Sequence, residues 1–336
     1  MTNTRRAIAN ISYMGVNITQ DIAPYLKSFT FNDNEGESDD IQIDLEDRNR
    51  KWQGPWLPKK GDKISASIEL RNWYKEGSTA KLNCGTFFVD DVSFKGPPDT
   101  VSIKALSVPF TKGGKDTKKT KAWTNATLQG ILTEVAKEAG LKLVYDAPTF
   151  LYDRVEQDKK TPLAFAKSLA KREGLATKVT KEQLIVYDEL KYEQKGTVRT
   201  ITRGEDDVVS YDFKESAAEE QYAKVELSYL DSKTKKNIKY VYNVPGVKEG
   251  PTLKINKRAK NLDEAKRWAQ KEARNKNKGS KSGKITLMGH EKLVQGVTVV
   301  IKNFGAFDGK YFIESSSHKV TGGYKTDITL REVLGY

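Results

Sequence analysis

Alternation of apolar and polar residues dominates the first hundred positions. In "IQIDLED", Ile41, Ile43 and Leu45 fall on one side of an extended chain and Gln42, Asp44 and Glu46 on the other, the period of a half-buried strand. "KISASIEL" repeats the pattern with Ile64, Ala66, Ile68 and Leu70, and "GTFFVDDVSF" with "TVSIKAL" reads as a hairpin turning at "KGPPD". Several short strands separated by turns predict a small barrel or sandwich. The period changes after "TKGGKDTKKTK", a Lys-, Gly- and Thr-rich stretch that reads as a linker.

Beyond it, Leu128, Ile131, Leu132, Val135, Ala136 and Ala139 recur at helical spacing, with Thr124 or Asn125 as the expected cap and Gly140 as the stop. "LKLVY" reads as a strand. Thr161 and Pro162 open a second helix carrying Phe165, Ala166, Leu169 and Ala170, and Gly174 ends it ahead of a hairpin in "TKVTKEQLIVYD". The helix ends "VAKEAGL" and "LAKREGL" are alike, but two copies with β segments and Pro148 between them predict a small α/β domain, not a helical array. From about residue 195 the β character returns, with "YAKVELSYLD" and "NIKYVYNVPG" as a hairpin. One helix interrupts it, with Asn261 and Glu264 as a capping box and Leu262, Ala265, Trp268, Ala269 and Ala273 on one side. "KITLMG", "VTVVIKNF", "KYFIESSSHKV" and "YKTDITLREV" follow as four strands. The expected fold is mainly β with an α/β insert (α+β). It comprises a first β unit over 1–110, a linker and insert over 111–194, and a second β unit over 195–336 with its helix near 261–275.

Composition narrows the function classes. With 37% hydrophobic and 31% charged residues, the 336-residue chain is of globular and not disordered type. No run approaches about 18 apolar residues, and "MTNTRRAIANISYMG" lacks an apolar core followed by a cleavage site, so neither membrane insertion nor a signal peptide is expected. Cys84 is the only cysteine and His290 and His318 the only histidines, which removes intrachain disulfides and the usual zinc sets; no metal and no cofactor is expected. The net charge of +13 is distributed unevenly. Asp33, Glu35, Glu37, Asp39 and Asp40 head an acidic segment reaching Asp47. Lys254, Lys257, Arg258, Lys260, Lys266, Arg267, Lys271 and Arg274 belong to a basic segment reaching Lys284. Opposed patches of this kind suit docking between protein surfaces, and these residues are the candidate protein interface.

Catalytic patterns are weak. "GSKSGKI" is one residue short of a phosphate-binding loop and has Ile285 where a metal-binding hydroxyl belongs; "KGGKDTKK" also fails. Asp90 and Asp91 are strand neighbours that point to opposite faces and cannot converge on one sugar. Cys84 lies by a strand without a basic or helix-start environment, so a Cys–His nucleophile has no local support. The basic segment would grip phosphates if its cations shared a face, but it lacks interleaved aromatics, Trp268 excepted.

Several stretches carry a family resemblance in order along the chain. They are "VNITQDIAPYLKSFTFNDNEGESDDIQIDLEDRNRKWQGPWLPKKGDKISASI", "GTFFVDDVSFKGPPDTVSIKALSVPF", "KAWTNATLQGILTEVAKEAGL", "DRVEQDKKTPLAFAKSLAKREGL", "NLDEAKRWAQKEA" and "GAFDGKYFIESSSHKVTGGYKT". Together the chain resembles the phage late-control D family, the baseplate hub proteins of contractile tails and related tail-like bacteriocins. The resemblance implies two tube-like antiparallel β-barrel domains flanking the insert, and a non-enzymatic homotrimer whose pseudo-sixfold ring joins a hexameric tail tube to a trimeric spike. It further implies tube, spike, other baseplate and tape-measure proteins as partners, a place in the virion or tail-like particle, and nucleic acid met only in the lumen. Two alternatives stand beside it: a nucleic-acid-binding protein acting through 254–284, and a tail-associated protein that binds or cleaves cell wall.

Overall fold

The computed structural model describes residues 4–36, 38–107, 117–180, 182–205, 207–216, 221–231 and 234–336; Glu37, most of the expected linker, and the side chains of Lys257 and Arg258 lie outside the described residues. The first part contains β1 (Arg6–Tyr13), β2 (Val16–Asn17), α1 (Thr19–Ile22), β3 (Leu26–Asn34), β4 (Asp40–Glu46), β5 (Lys63–Arg71), β6 (Thr79–Lys95) and β7 (Thr100–Leu106). Alternation does its expected work: Ile41, Ile43 and Leu45 of β4 and Ile64, Ala66, Ile68 and Leu70 of β5 enter one core with Phe29, Phe31, Phe87 and Trp73. β6 is long because it serves two neighbours. Thr79–Phe88 pairs with β5 and Phe88–Lys95 with β7, all antiparallel.

The insert contains β8 (Lys119–Thr127), α2 (Leu128–Glu138), β9 (Lys142–Asp146), β10 (Leu151–Lys160), α3 (Pro162–Arg172), β11 (Leu175–Val179), β12 (Gln183–Asp188) and α4 (Glu189–Glu193). Thr124 and Asn125 belong to β8, and it is Thr127 whose hydroxyl accepts the Gly130 N–H at 3.1 Å and starts α2. Strand pairing with β10 resumes at Ala126 after a left-handed Asn125 (φ 49°) and carries β8 as far as Thr127. Thr161 caps α3 with Pro162 in its first turn, as the sequence predicts. The apolar faces of α2 and α3 pack with Leu184, Val186 and Leu175 into a core of their own.

The chain returns with β13 (Arg199–Thr202), β14 (Val208–Glu215), β15 (Lys224–Leu230), β16 (Asn237–Asn243), β17 (Thr252–Ala259), α5 (Leu262–Asn277), β18 (Lys281–Met288), β19 (Thr298–Lys302), β20 (Gly309–Val320) and β21 (Tyr324–Glu332). β15 pairs with β16 and β17 in a separate three-stranded sheet, on which α5 lays Ala265, Ala269 and Ala273 against Val225 and Leu227. Alanine every fourth residue lets the helix come close to the sheet. The other returning strands close a third core around Ile201, Ile285, Val299, Ile313 and Ile328.

β20 joins the two β parts. Gly309–Phe312 pairs with β19, Ser315–Val320 pairs with Phe29–Asn34 of β3, and β21 runs along the opposite side. The result is one thirteen-stranded sheet ordered β14-β18-β21-β20-β3-β4-β7-β6-β5-β1-β2, with β13 and β19 branching at β20. Segment 304–330, which holds His318, is thus the strand pair that seals both halves. His318 is fully buried; its Nδ1 lies 2.7 Å from the Tyr324 hydroxyl, and burial pulls its pKa down to about 4, so it is a neutral core residue. Cys84 is also buried, and burial pushes its thiol up.

A second contact across the halves is local. Trp73 Nε1 donates to the Gly289 carbonyl at 2.8 Å, and the Tyr324 ring covers Gly289 so closely that a Cβ there would lie 1.9 Å from a ring carbon. Gly289→Ala should displace Tyr324 and with it the hydrogen bond to His318, lowering stability by about 1–3 kcal/mol as overpacking does. The urea midpoint measures this, and an unchanged midpoint would show that the ring does not depend on the missing methyl.

Candidate functional site

The acidic and basic segments singled out from the sequence meet only at Glu35 and Lys278, which line one cavity. Both close on the insert. From the acidic side, Asp33 and Asp39 are buried and share Lys178 of β11, with Lys178 hydrogen-bonded to Asp33 and 3.4 Å from Asp39. Burial raises Asp39 to about 6 against the pull of Lys178. Asp33 also accepts the Gln295 N–H at 3.0 Å, and the Gln295 amide donates to the Tyr187 hydroxyl of β12 at 2.7 Å.

From the basic side, Arg267, Lys271, Arg274 and Lys278 recur at spacings of four, three and four along α5 and just past its end, which places them on one stripe. Their partners are insert carboxylates. Glu173, fully buried, takes Arg267 Nε at 2.9 Å and the Tyr152 hydroxyl at 2.6 Å, with Lys271 Nζ at 3.9 Å. Burial draws Lys271 down to about 8, and its stem lies on Gly174, which has φ +70° and no room for a Cβ. Arg274 donates to Glu193 at 2.8 Å and Lys278 to Glu189 at 3.2 Å.

Arg331 completes the seam. It stands on β21, one residue beyond Leu330 and therefore on the opposite face, where α4 covers it to 1% exposure. Its Nη1 donates to Glu193 at 2.6 Å and its Nη2 to Glu189 at 2.7 Å, while Nε lies 3.3 Å from Glu314. The spacing of Glu189 and Glu193 by four residues on one helix matches the two arms of the guanidinium. Lys310 Nζ donates to the carbonyls of Glu193 and Lys195 at the end of the same helix. Glu35 sits at the rim of this cluster beside a cavity of about 440 Å³ shared with Glu189, Glu314 and Lys278. Burial first, then Glu189, raises Glu35 to about 7, against Lys278 and Arg331; Glu314 is raised by burial too.

The remaining candidates lie at the surface. Lys260 reaches across to Asp153 of the insert at 2.6 Å, and Lys254 and Lys266 are exposed. Asp40 accepts from Asn32 at 2.9 Å. That pair belongs to a face of the sheet that turns away from the cores and is polar across both halves. One row runs Ser210, Thr286, Asp327, Ser317, Asn32, Asp40 across β14, β18, β21, β20, β3 and β4. The next runs Lys325, Lys319, Thr30, Gln42, Lys104, Asp91 as far as β6. Side-chain hydrogen bonds link Thr286 to Asp327, Ser317 to Asn32, and both Ser28 and Ser102 to Asp44. Asp90 and Asp91 are adjacent on β6, as the sequence implies. Among the described residues no group of three or more His, Cys, Asp or Glu is placed to hold a metal ion, and no helix is long and apolar enough to cross a membrane.

Sequence reasoning missed Lys178, Glu173, Glu189, Glu193 and Arg331. The legible signal was the stripe of cations at helical spacing on α5 together with two glutamates four apart.

Removing Arg331 leaves two buried carboxylates facing each other. Arg331→Ala should cost about 3–5 kcal/mol, the range for breaking a buried pair, read as a fall in the urea midpoint. Arg331→Lys, with one ammonium in place of a two-armed fork, should fall between wild type and the alanine variant. Glu35 binds its proton with a pKa of about 7 when folded against an ordinary value of 4.5. The folded chain therefore holds more protons between those values, and its stability falls as pH rises through about 7. Glu35→Gln should remove that loss, so the wild-type Tm should fall relative to the variant between about pH 4.5 and 7, with the difference levelling off above that range. Parallel Tm profiles would refute this.

A model of the YQBQ-like family matches residues 116–331. The chain is 28% identical over 171 residues to the probable baseplate hub protein of Escherichia phage 186, covering 50% of this chain and 41% of that one. It is 29% identical over 161 residues to the probable baseplate hub protein of Escherichia phage P2, covering 47% and 39%. The chain thus spans about two fifths of the length of these curated relatives. In fold it is similar to the tail protein from Neisseria meningitidis MC58, with a TM-score of 0.69 at 14% identity over 97% of this chain and 96% of that one. The mainly β fold and the resemblance to baseplate hub proteins both hold, and by the extent of the family match the chain belongs to the YQBQ-like family.

Proposed function

We propose that the protein is a structural hub of a tail baseplate, in which three copies close into a ring that joins a hexameric tail tube to a trimeric spike. The observation that carries this reading is the sheet itself. Two β parts, each with its own core, are joined edge to edge through β20 and β3, so one chain offers two tube-like surfaces side by side. Three such chains offer six. The sheet ends at β14, whose outer edge pairs with no other strand among the described residues, and an unpaired edge of that length invites a partner strand. Contacts between unlike edges of identical chains close into rings when the rotation allows. The polar face lined by Ser317, Asn32, Gln42 and Lys104 then becomes the lumen wall, and the units at 1–110, 111–194 and 195–336 become two tube domains and a peripheral insert.

On this reading the protein works without catalysis, in the tail of a particle, with tube, spike, tape-measure and other baseplate proteins as partners. The exposed Lys254 and Lys266 serve as contacts for such neighbours. The buried ion pairs of Arg267 and Arg274 favour this reading over nucleic-acid binding by the 254–284 segment, since those cations already hold carboxylates.

Light scattering after size exclusion, on the protein alone and with the spike protein of the same tail, should give three copies per complex. A monomer that ignores the spike would overturn the proposal. Val209 and Tyr211 are 51% and 43% exposed on β14. Val209→Lys should prevent the trimer while changing stability by no more than about 0.5 kcal/mol, as surface changes do, and Tyr211 is left in place because its ring packs on Phe304. A variant that still assembles would place the joint elsewhere.

A further inference from the structure

A groove of about 540 Å³ lies between α3 of the insert and the end of α5. Its charged walls are Lys160, Lys171, Arg172 and Lys276, with Lys278 where it meets the cavity beside Glu35, and with Glu156 and Glu272 among them. The cations here differ from those of the seam. Lys278 is held by Glu189 and Arg172 lies 3.6 Å from Glu173, but Lys171 and Lys276 are exposed and have no carboxylate partner among the described residues. The acids on the walls offset the cations only in part: Glu156 is paired with Arg154 outside the groove, which leaves Glu272 against Lys160, Lys171 and Lys276. Within the chain's own acidic segment, Asp33 and Asp39 are buried against Lys178, and Glu35 faces the adjoining cavity. Lys160, Lys171 and Lys276 thus give the groove an excess of basic charge that an acidic partner would match.

We propose that this groove is a docking site for an acidic segment of a partner protein. A nucleic acid fits it less well for two reasons. A phosphodiester chain carries a charge at every step and would meet Glu272 as well as the lysines, whereas a peptide can place acids against lysines and a neutral or basic residue against Glu272. The groove also offers no exposed ring on which a base could stack, since its one aromatic, Phe165, is 3% exposed and stacked on Trp123. An acidic segment would also bridge α3 and α5, the elements that the seam already holds together, so docking reports on a closed joint.

The test is fluorescence anisotropy of a labelled twelve-residue peptide alternating glutamate and alanine, titrated with the full chain at low salt. The paired variant Lys171→Glu with Lys276→Glu should weaken binding by about tenfold or more, because two attractive contacts become repulsive. Lys142→Glu with Lys224→Glu makes the same change in net charge at exposed positions outside the groove, and should weaken it by less than about threefold. Lys171→Met with Lys276→Met keeps the side-chain stems, and should lose binding with an unchanged Tm if the effect is electrostatic. No binding by the wild type, or equal weakening in both glutamate variants, would overturn the proposal. So would tighter, groove-dependent binding of a twelve-nucleotide single strand.

Discussion

A charged seam on which the insert is fixed governs this structure. Arg331 is buried on the polar face of β21, and an arginine there is tolerable only because α4 brings two carboxylates to its two arms. Burial of an isolated guanidinium would cost several kcal/mol, and so would burial of Glu189 and Glu193 without it. Each group is therefore admitted to the interior by the others, and the position of α4 over the sheet follows from that dependence. Arg274, Lys278 and Lys310 extend the same logic to α5 and to the end of α4. Apolar packing would hold the elements together in many relative positions, whereas fork-to-carboxylate geometry admits few.

The insert is gripped from both sides. Lys178 of β11 goes to Asp33 and Asp39 on the first β part, and Glu173 takes Arg267 and Lys271 from the helix of the second. These two grips and the pairing of β20 with β3 fix three parts of the chain by contacts far apart in sequence. If the joint at β20 were free to slip, the two edges of the sheet would move relative to each other. Register slip is also suppressed by the cross-strand links on the polar face, where Ser317 bonds Asn32 across the joint and Asn32 in turn bonds Asp40 of β4.

Much of the fold was legible in the sequence because its elements obey simple periods. Ile41, Ile43 and Leu45 alternate and are buried; Phe165, Ala166, Leu169 and Ala170 follow the helical period and are buried. The start of α2 was misplaced because Thr124 and Thr127 are equal as caps in sequence, and strand pairing with β10 decides between them. The site was less legible. Asp33 and Arg267 were recognised as charges that need a partner, but the sequence puts no distance between them and Lys178 or Glu173. Patches that look complementary in one dimension were expected to meet neighbouring molecules, and the structure shows several of them answered within the chain. Arg331 had no signal of its own: on an alternating strand it occupies a polar position, and only α4, folded back over it from 138 residues away, makes it buried.

The same geometry explains why basic charge remains at the surface of a chain that neutralises so much of it inside. A helix stripe can turn one side to a partner at a time. On α5 and the turn that follows, Arg267, Arg274 and Lys278 face the insert and are matched by Glu173, Glu193 and Glu189. Lys266 and Lys276 adjoin these cations in sequence, about 100° round the helix for each residue, and therefore leave the seam for solvent. The net charge of +13 is thus partly the unpaired side of a structural device, and it does not by itself indicate a nucleic-acid partner. What that exposed side meets depends on the surface that a neighbour brings to it, and a groove with lysines from β10, α3 and α5 and glutamates among them is more selective than a uniformly basic face.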